Sequence, residues 1–113
     1  MNRDRERLEH IRDAVMRIKS YTASLTESDF LTDNMLQDAV LYQFSIIGEA
    51  IAHVSDDLLC KYDYPWYAVR SFRNYITHQY FGINLAKVWA TVAINLPELE
   101  TVLNRIIDSE TFR

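Results

Sequence analysis

Residues 73–80, with the sequence RNYITHQY, bring together three side chains that suit chemistry on a phosphate. Arg73 carries a permanent cation whose planar fork of donors matches phosphate oxygens. His78 supplies an imidazole, the side chain best suited to proton transfer near neutral pH, and Tyr80 adds a hydroxyl that can be modified. The segment therefore indicates a site for phosphate chemistry.

The spacing of these residues limits how one helix can present them. At about 100° per residue, His78 lies about 140° around a helix from Arg73, whereas Tyr80 returns to within about 20° of Arg73. Either the helix loosens before His78, which the nearby Gly82 would allow, or a second subunit completes the site. Both interpretations predict a site at a helix end or in a cleft between subunits.

Each of the three residues also has a purely structural interpretation. Arg73 would then form a surface ion pair, His78 would cap the C-terminal end of a helix and interact with its dipole, and Tyr80 would be an interface aromatic. The tyrosines near the motif likewise allow two interpretations. They stack the bases of single-stranded RNA, or they pack with their hydroxyls in water.

Size and composition define the elements that must position the motif. A chain of 113 residues with 49% apolar and 25% charged residues fits one globular domain, spanning residues 1–113, with a buried core. Two glycines and two prolines are too few for the many turns of an all-β fold. The composition therefore predicts long helices and an all-α fold.

Apolar periodicity divides the chain into four long helices. The first runs over about Asp4–Leu25 and the second over about Asp33–Val54. The third begins at Pro65, in the first helical position that suits proline, and the motif spans its end. The fourth starts near Leu85 and is kinked or split by Pro97, which removes a backbone hydrogen bond. The sequence thus predicts an up-and-down four-helix bundle with a kinked last helix.

Local signals mark one helix start and one close contact. Thr26 and Asp29 fit an acidic variant of the capping box, so a short turn is expected before the second long helix. Gly48 lies in the middle of that helix, where glycine costs about 1 kcal/mol relative to alanine, and it indicates the close approach of a neighbouring helix. Glu49 beside it is either the buried partner of an arginine or faces water.

Little in the chain suggests a metal or a disulfide. His10, His53 and Glu49 lack a tight metal-ligand spacing such as His-x3-His, so we predict no metal site and no cofactor. Cys60 is the only cysteine, which excludes an intrachain disulfide. We expect it to be an inert, semi-buried thiol.

Charge and hydropathy bear on the class of partner. The net charge of −4 disfavours nucleic-acid binding over the whole surface, but residues 61–87 carry four cations against one carboxylate. The motif therefore lies in a locally basic stretch. No apolar run approaches the roughly 18 residues of a membrane span, and the N-terminus lacks the apolar segment of a signal peptide. Together these features predict a cytoplasmic protein without a membrane partner.

The order Arg-x4-His-x-Tyr, formed by Arg73, His78 and Tyr80, closely resembles the signature of HEPN-domain RNase toxins, in particular the HepT family. Asn74 also fits this motif. Similarity continues on both sides of the motif, at His10-Ile11, at residues 46–50 (IIGEA), and at Pro65-Trp66, Ile83, Val88 and Trp89. The resemblance therefore spans nearly the whole chain.

The resemblance implies a homodimeric four-helix HEPN bundle that cuts RNA without a metal. In such a site His78 moves protons between the ribose 2′-hydroxyl and the leaving oxygen, and Arg73 stabilises the negative charge on the phosphorane. Attack by the 2′-hydroxyl leaves a cyclic phosphate. Asn74 orients the substrate or His78, or else it caps or packs.

The resemblance also implies a partner. The chain would be the toxin of a type VII toxin-antitoxin system, whose MntA-type nucleotidyltransferase antitoxin transfers AMP from ATP to Tyr80 and blocks the site. The alternative is a non-catalytic helical module that binds a nucleotidyltransferase or a nucleotide. In that case Arg73 and His78 make ligand contacts or pack at an interface.

Overall fold

The computed structural model describes residues 3–78 and 82–110, and every regular element within these ranges is helical. The elements are, in chain order, α1 (Asp4–Thr22), α2 (Glu27–Leu31), α3 (Asn34–Ala52), α4 (Asp56–Leu59), α5 (Trp66–His78), α6 (Leu85–Ala90), a π-helical turn (Thr91–Asn95) and α7 (Leu96–Ser109). The predicted all-α class is confirmed. The four predicted long helices correspond to α1, α3, α5 and the run from α6 to α7.

The central helix of the bundle is α3, which packs against α1 on one side and α5 on the other, while α7 contacts α1. Both α1 and α3 present apolar side chains at steps of three and four residues, which places them on one face of each helix. The buried side chains of that interface include Leu8, Ile11, Val15 and Ile18 from α1 and Val40, Phe44, Ile47 and Ile51 from α3. Each such side chain stabilises the fold by about 1.5–3 kcal/mol on burial. This interface therefore holds α3 firmly in place, and α3 is the helix on which α5 packs.

Side-chain caps explain where several helices begin. The Thr26 hydroxyl accepts a hydrogen bond from the Asp29 backbone N-H at 3.2 Å, and the Asp29 carboxylate accepts one from the Thr26 N-H at 2.8 Å. The predicted acidic capping box is therefore confirmed. Asp33, Ser55 and Asn84 cap α3, α4 and α6 with a single hydrogen bond each, which the cap side chain accepts from a backbone N-H.

Two predicted boundaries were wrong. The first helix ends at Thr22 rather than near Leu25, because Ser24 has a φ of 63°, a left-handed conformation that cannot continue a right-handed helix. No helix was predicted between Val54 and Pro65, yet this stretch contains the short helix α4 with two buried leucines, Leu58 and Leu59. Those side chains join the core, and the Ser55 cap supplies the helix start.

The predicted interruption near Pro97 takes the form of a π-helical turn. Regular α-helix stops at Ala90, the chain widens through Thr91–Asn95, and α7 begins with Pro97 in its first turn. A proline there has no N-H to donate to the preceding turn, so the usual α-helical bond is lost at that point. Widening to a π turn accommodates the change, and such turns occur often at functional sites.

The start of α5 is anchored by its tryptophan. The Trp66 indole N-H donates to the carbonyls of Leu59 and Tyr62 at 3.0 and 3.2 Å, and the side chain is only 7% exposed. At the other end of the helix, the Tyr75 hydroxyl accepts from the Asn84 N-H at 2.8 Å. These contacts fix the axial position of the helix that carries the motif.

Two further expectations can be compared with the structure. Cys60 is exposed, with its Sγ 3.3 Å from the Asp57 carbonyl, so the expectation of a semi-buried thiol was wrong. It ends the short helix α4, whose two leucines take the buried positions instead. Within the described ranges, none of the helices combines the length and apolar character required to cross a bilayer.

Candidate active site

Arg73 lies in a shallow cleft of about 510 Å³ formed by three helices. The polar side chains of its wall are Arg7 and His10 from α1, Ser45 and Glu49 from α3 with His53 at its C-terminal cap, and Arg73 and Thr77 from α5. The cleft therefore places two arginines and two histidines around one carboxylate. Such a surface suits an anion with several oxygens, such as a phosphodiester.

Gly48 is the reason that Arg73 can enter this cleft. A Cβ added at Gly48 would overlap the Cβ of Arg73 and would lie only 2.8 Å from its Cγ. The aliphatic part of Arg73 therefore passes directly over the backbone of α3, where no larger residue fits. The predicted close approach of a neighbouring helix at Gly48 is confirmed, and that helix is α5.

Glu49, the next residue on α3, pairs with the guanidinium of Arg73. The distance from its Oε2 to the Arg73 Nη2 is 2.6 Å. Sequence reasoning offered an arginine partner or a solvent-facing carboxylate, and the side chain is both, since it remains 53% exposed while paired. Only the expected burial of that pair is wrong, because both side chains line the open cleft and remain 39% and 53% exposed.

A second set of contacts joins Glu49 to α1. Its Oε1 lies 3.2 Å from the His53 Nε2, and the backbone carbonyl of His53 accepts a hydrogen bond from Arg7 Nη1 at 2.5 Å. The two oxygens of Glu49 thus contact different partners, Arg73 and His53. The result is a polar chain that runs across all three helices of the cleft.

Sequence reasoning missed part of this arrangement. His10, His53 and Glu49 were set aside as poorly spaced for a metal site, yet all three line the same cleft. The four-residue step between Glu49 and His53 was the available signal, since it places both on one helix face. Arg7 gave no local signal, because its role depends on how α1 packs against α3. Within residues 3–78 and 82–110, no group of three or more His, Cys, Asp or Glu side chains is arranged to hold a metal ion.

His78 is the last residue of α5 and is exposed, and it is not among the residues that line the Arg73 cleft. Because α5 is α-helical through His78, the suggestion that the helix loosens before it was wrong. The two side chains therefore point about 140° apart on a regular helix. His78 lies at the end of α5, while a site at this helix end and its completion by a second subunit both stay predictions.

The remaining residues to place in the motif segment are Asn74, Thr77 and Tyr80. Asn74 is exposed beside Arg73 on α5. Thr77, which sequence reasoning did not select, lines the cleft, and its hydroxyl donates to the Arg73 carbonyl at 3.0 Å. Tyr80 lies outside the described residues.

A second cavity, of about 500 Å³, lies on the opposite side of α5, between α3 and the π-helical turn. Aromatic side chains dominate its wall, including Phe44, Tyr64, Tyr67, Phe72 and Tyr75. Lys87 stands at its edge, with its Nζ 4.5 Å from the centre of the Tyr75 ring. Ser71 also lines this cavity, and His78 is two helical turns further along nearly the same face of α5. Arg73 therefore faces the cleft on one side of α5, whereas His78 lies on the side of the aromatic cavity.

Burial raises the pKa of Tyr64, which lies in the wall of the aromatic cavity. The other shifted pKa values of the described residues belong to a cluster that lines neither cavity. Hydrogen bonds from the Tyr62 hydroxyl at 2.8 Å and from the Lys61 Nζ at 3.1 Å lower the pKa of the Glu110 carboxyl. Burial, followed by the hydrogen bond to Glu110, raises the pKa of Tyr62. This cluster joins the end of α7 to the segment before α5, so it supports the position of the motif helix.

The all-helical bundle of the described residues is consistent with a HEPN-type domain. The family profile described as "Ribonuclease HepT-like" matches residues 11–106. The chain therefore belongs to the HepT-like ribonuclease family.

Relatives with ribonuclease names support this assignment. The chain is 33% identical over 94 residues to a "Probable ribonuclease HepT" of Thermococcus cleftensis, covering 82% of this chain and 86% of that protein. It is 30% identical over 111 residues to a "Putative RNase" of Caldanaerobacter subterraneus subsp. tengcongensis, covering 97% and 99% of the two chains.

A third relative is longer than this chain. It is a "Gamma-glutamylcyclotransferase and putative RNase" of Methanocaldococcus jannaschii, 35% identical over 102 residues, which cover 89% of this chain but only 46% of that protein. This chain thus corresponds to about half of that relative. No solved structure matches the chain.

Proposed function

We propose that this protein is an endoribonuclease that cuts RNA without a metal, and that it acts as the toxin of a type VII toxin-antitoxin pair. The observation that carries the proposal is the placement of Arg73 in a cleft that also holds Arg7 of α1, in a member of the HepT-like family. The cleft also answers the objection raised by the net charge of −4, because affinity for RNA requires only a local cationic surface.

The proposed reaction is an internal transfer of the phosphodiester. The ribose 2′-oxygen forms a bond to phosphorus as its proton passes to His78, the bond from phosphorus to the 5′-oxygen breaks, and a proton is returned to that oxygen. Arg73 stabilises the extra negative charge of the phosphorane through charge-assisted hydrogen bonds. The products are a 2′,3′-cyclic phosphate and a 5′-hydroxyl. In this proposal Asn74, which is exposed next to Arg73, contacts the substrate.

A homodimer fits this chemistry better than a single chain does. Arg73 and His78 lie on different faces of α5, about 140° apart, so one chain does not direct both at the same phosphate. In the proposed dimer the two chains meet along α5, so that two-fold symmetry sets the α5 of one copy opposite the α5 of the other. Arg73 of one copy and His78 of its partner then act on one phosphate.

Mixed dimers test this arrangement. Coexpressed Arg73→Ala and His78→Ala chains form heterodimers that hold one intact shared site and one site lacking both residues. Random pairing makes half of the dimers mixed, so about a quarter of the wild-type activity is expected to return. If each site lies within one chain, the mixture stays as inactive as its two parents.

Control by a partner is the second part of the proposal. An MntA-type nucleotidyltransferase transfers AMP from ATP to the Tyr80 hydroxyl and thereby blocks the site with bulk and negative charge. Tyr80 is two residues from His78 in the sequence, which supports this role. Mass spectrometry after coexpression with an active antitoxin is expected to find adenylate on Tyr80, and unmodified Tyr80 under those conditions would contradict it.

A non-catalytic module is the second candidate. The separation of Arg73 and His78 onto two faces favours it, as does the aromatic cavity beside α5, since both features also suit the binding of a nucleotidyltransferase or a nucleotide. Under this alternative, His78→Ala weakens partner binding. Under the ribonuclease proposal, the same substitution removes RNA cleavage and growth inhibition without unfolding the protein.

A further inference from the structure

Glu49 contacts Arg73, but the proposed reaction assigns no role to Glu49. Its Oε2 lies 2.6 Å from the Arg73 Nη2, and its Oε1 lies 3.2 Å from the His53 Nε2. An anion so near the proposed phosphate site is unexpected, because it repels the substrate. Its presence calls for a physical reason.

We propose that Glu49 is a positioning residue that fixes the guanidinium of Arg73 for the phosphate. The proposal rests on the ribonuclease function proposed above. A free arginine side chain samples many rotamers, and ordering it during the reaction costs conformational entropy. Glu49 orders it beforehand.

Arg73 is held at both ends. Near the backbone, its Cβ and Cγ lie against Gly48, in a space that a single added methyl group would fill. At the far end, Glu49 contacts one terminal nitrogen of the guanidinium. Because Gly48 and Glu49 are consecutive residues of α3, the same short segment of backbone determines the position of both the stem and the head.

The guanidinium of Arg73 has enough donors to contact Glu49 and a phosphate at the same time. Arginine has five N-H donors in a rigid fork, and Glu49 occupies the Nη2 end of that fork. The remaining donors stay available to phosphate oxygens. The side chain of Arg73 remains 39% exposed while it is paired with Glu49, so it is accessible to an incoming ligand.

The exposure of the pair argues against a mainly structural role. Both side chains are more than one-third exposed, and ion pairs of this kind contribute little to stability because water screens them. Loss of Glu49 is therefore expected to leave the fold intact while it frees the head of Arg73. His53 supports the same arrangement, because it takes the second oxygen of Glu49 and prevents the carboxylate from turning away.

Electrostatics and positioning predict opposite effects for the same substitution. If Glu49 only competes with the phosphate for Arg73, its removal strengthens RNA binding and lowers KM. If Glu49 positions Arg73, its removal lowers kcat, because displacement of a catalytic group by about 1 Å costs up to about a hundredfold. The sign and the kinetic constant affected therefore separate the two roles.

The experiment compares Glu49→Ala and Glu49→Gln with the wild type, using a defined single-stranded RNA, purified antitoxin-free protein and EDTA. Positioning predicts that Glu49→Ala loses about tenfold to a hundredfold in kcat with little change in KM. Glu49→Gln keeps the side-chain length and an oxygen that accepts from Arg73, so it is expected to recover much of that loss.

Glu100→Gln is the matched control. It removes another short ion pair between helices, with Lys19 Nζ 2.8 Å from Glu100 Oε1, and neither residue lines the Arg73 cleft. Its kinetics are expected to equal those of the wild type. Thermal unfolding of all four proteins shows whether any kinetic loss reflects unfolding.

NMR provides a measurement that does not depend on cleavage. The Arg73 Nε-Hε group is expected to be ordered in the wild type and in Glu49→Gln, but mobile on the nanosecond scale in Glu49→Ala. Active wild type together with unchanged or improved kcat in Glu49→Ala would overturn the positioning role alone. A wild type that does not cut RNA would overturn the proposed function, and with it this role of Glu49 in catalysis.

Discussion

Gly48→Ala tests whether close contact between α3 and α5 underlies the site. The new Cβ would overlap the Cβ of Arg73 and would lie 2.8 Å from its Cγ and 3.4 Å from its Cδ. Carbon atoms normally approach to about 3.5 Å, so the contact with Cγ is short by roughly 0.7 Å. Since the Cβ of Arg73 is fixed to its backbone, no change of rotamer relieves that overlap, and α3 and α5 must separate.

Two opposing terms set the magnitude of this effect. Replacing a mid-helix glycine by alanine contributes about 1 kcal/mol through helix propensity. Overpacking an interface costs about 1–3 kcal/mol, and the rigid overlap with Arg73 places this site towards the upper end of that range. We expect Gly48→Ala to lower the free energy of unfolding by about 1–2 kcal/mol, and the displaced Arg73 to reduce RNA cleavage as well.

Urea unfolding followed by circular dichroism measures this change, and a double-mutant cycle identifies its source. Arg73→Gly removes every side-chain atom that the new methyl group would meet. In that background, Gly48→Ala should therefore be neutral or stabilising. If Gly48→Ala stabilises the wild-type protein by the full propensity term, α3 and α5 are not in close contact, and the explanation given for the Arg73 position is wrong.

Two further predictions concern features away from the cleft. Thr26→Ala removes the hydroxyl that caps α2 and is expected to cost about 1 kcal/mol of stability, whereas Thr26→Ser keeps it; equal urea midpoints for both variants would exclude the capping role. Hydrogen bonds from Tyr62 and Lys61 lower the pKa of Glu110, so its ionised form contributes stability above its ordinary pKa of 4.5, and this contribution is lost as the pH falls below that value. Glu110→Gln should therefore lower Tm relative to wild type at pH 7 but less at pH 3; a Tm difference independent of pH would contradict this.

Much of the fold was predictable because its signals are local. The alternating apolar residues of α1 and α3, and the Thr26 capping box, are properties of short segments. The features that were missed depend on context. Ser24 adopts a left-handed conformation that its residue type does not favour, and the short helix α4 forms because Leu58 and Leu59 find space in the core.

The same distinction between local signals and tertiary context applies to the residues of the site. Arg73 and His78 were identified from their types and spacing, and their separation on a helix followed from geometry alone. An arginine partner was considered for Glu49, but which arginine it contacts depends on how α5 packs against α3. Arg7 lies in the cleft because α1 packs against α3. No short segment of sequence encodes that packing.

The most direct test of the account is RNA cleavage by purified, antitoxin-free protein in EDTA, beside His78→Ala, with unmodified Tyr80 verified by mass spectrometry. Total tRNA and defined RNAs serve as substrates, and gels with mass spectrometry identify the 3′ ends. The account predicts cleavage by the wild type alone, leaving 2′,3′-cyclic phosphates. Intact RNA with both proteins, or equal cleavage by both, would contradict it.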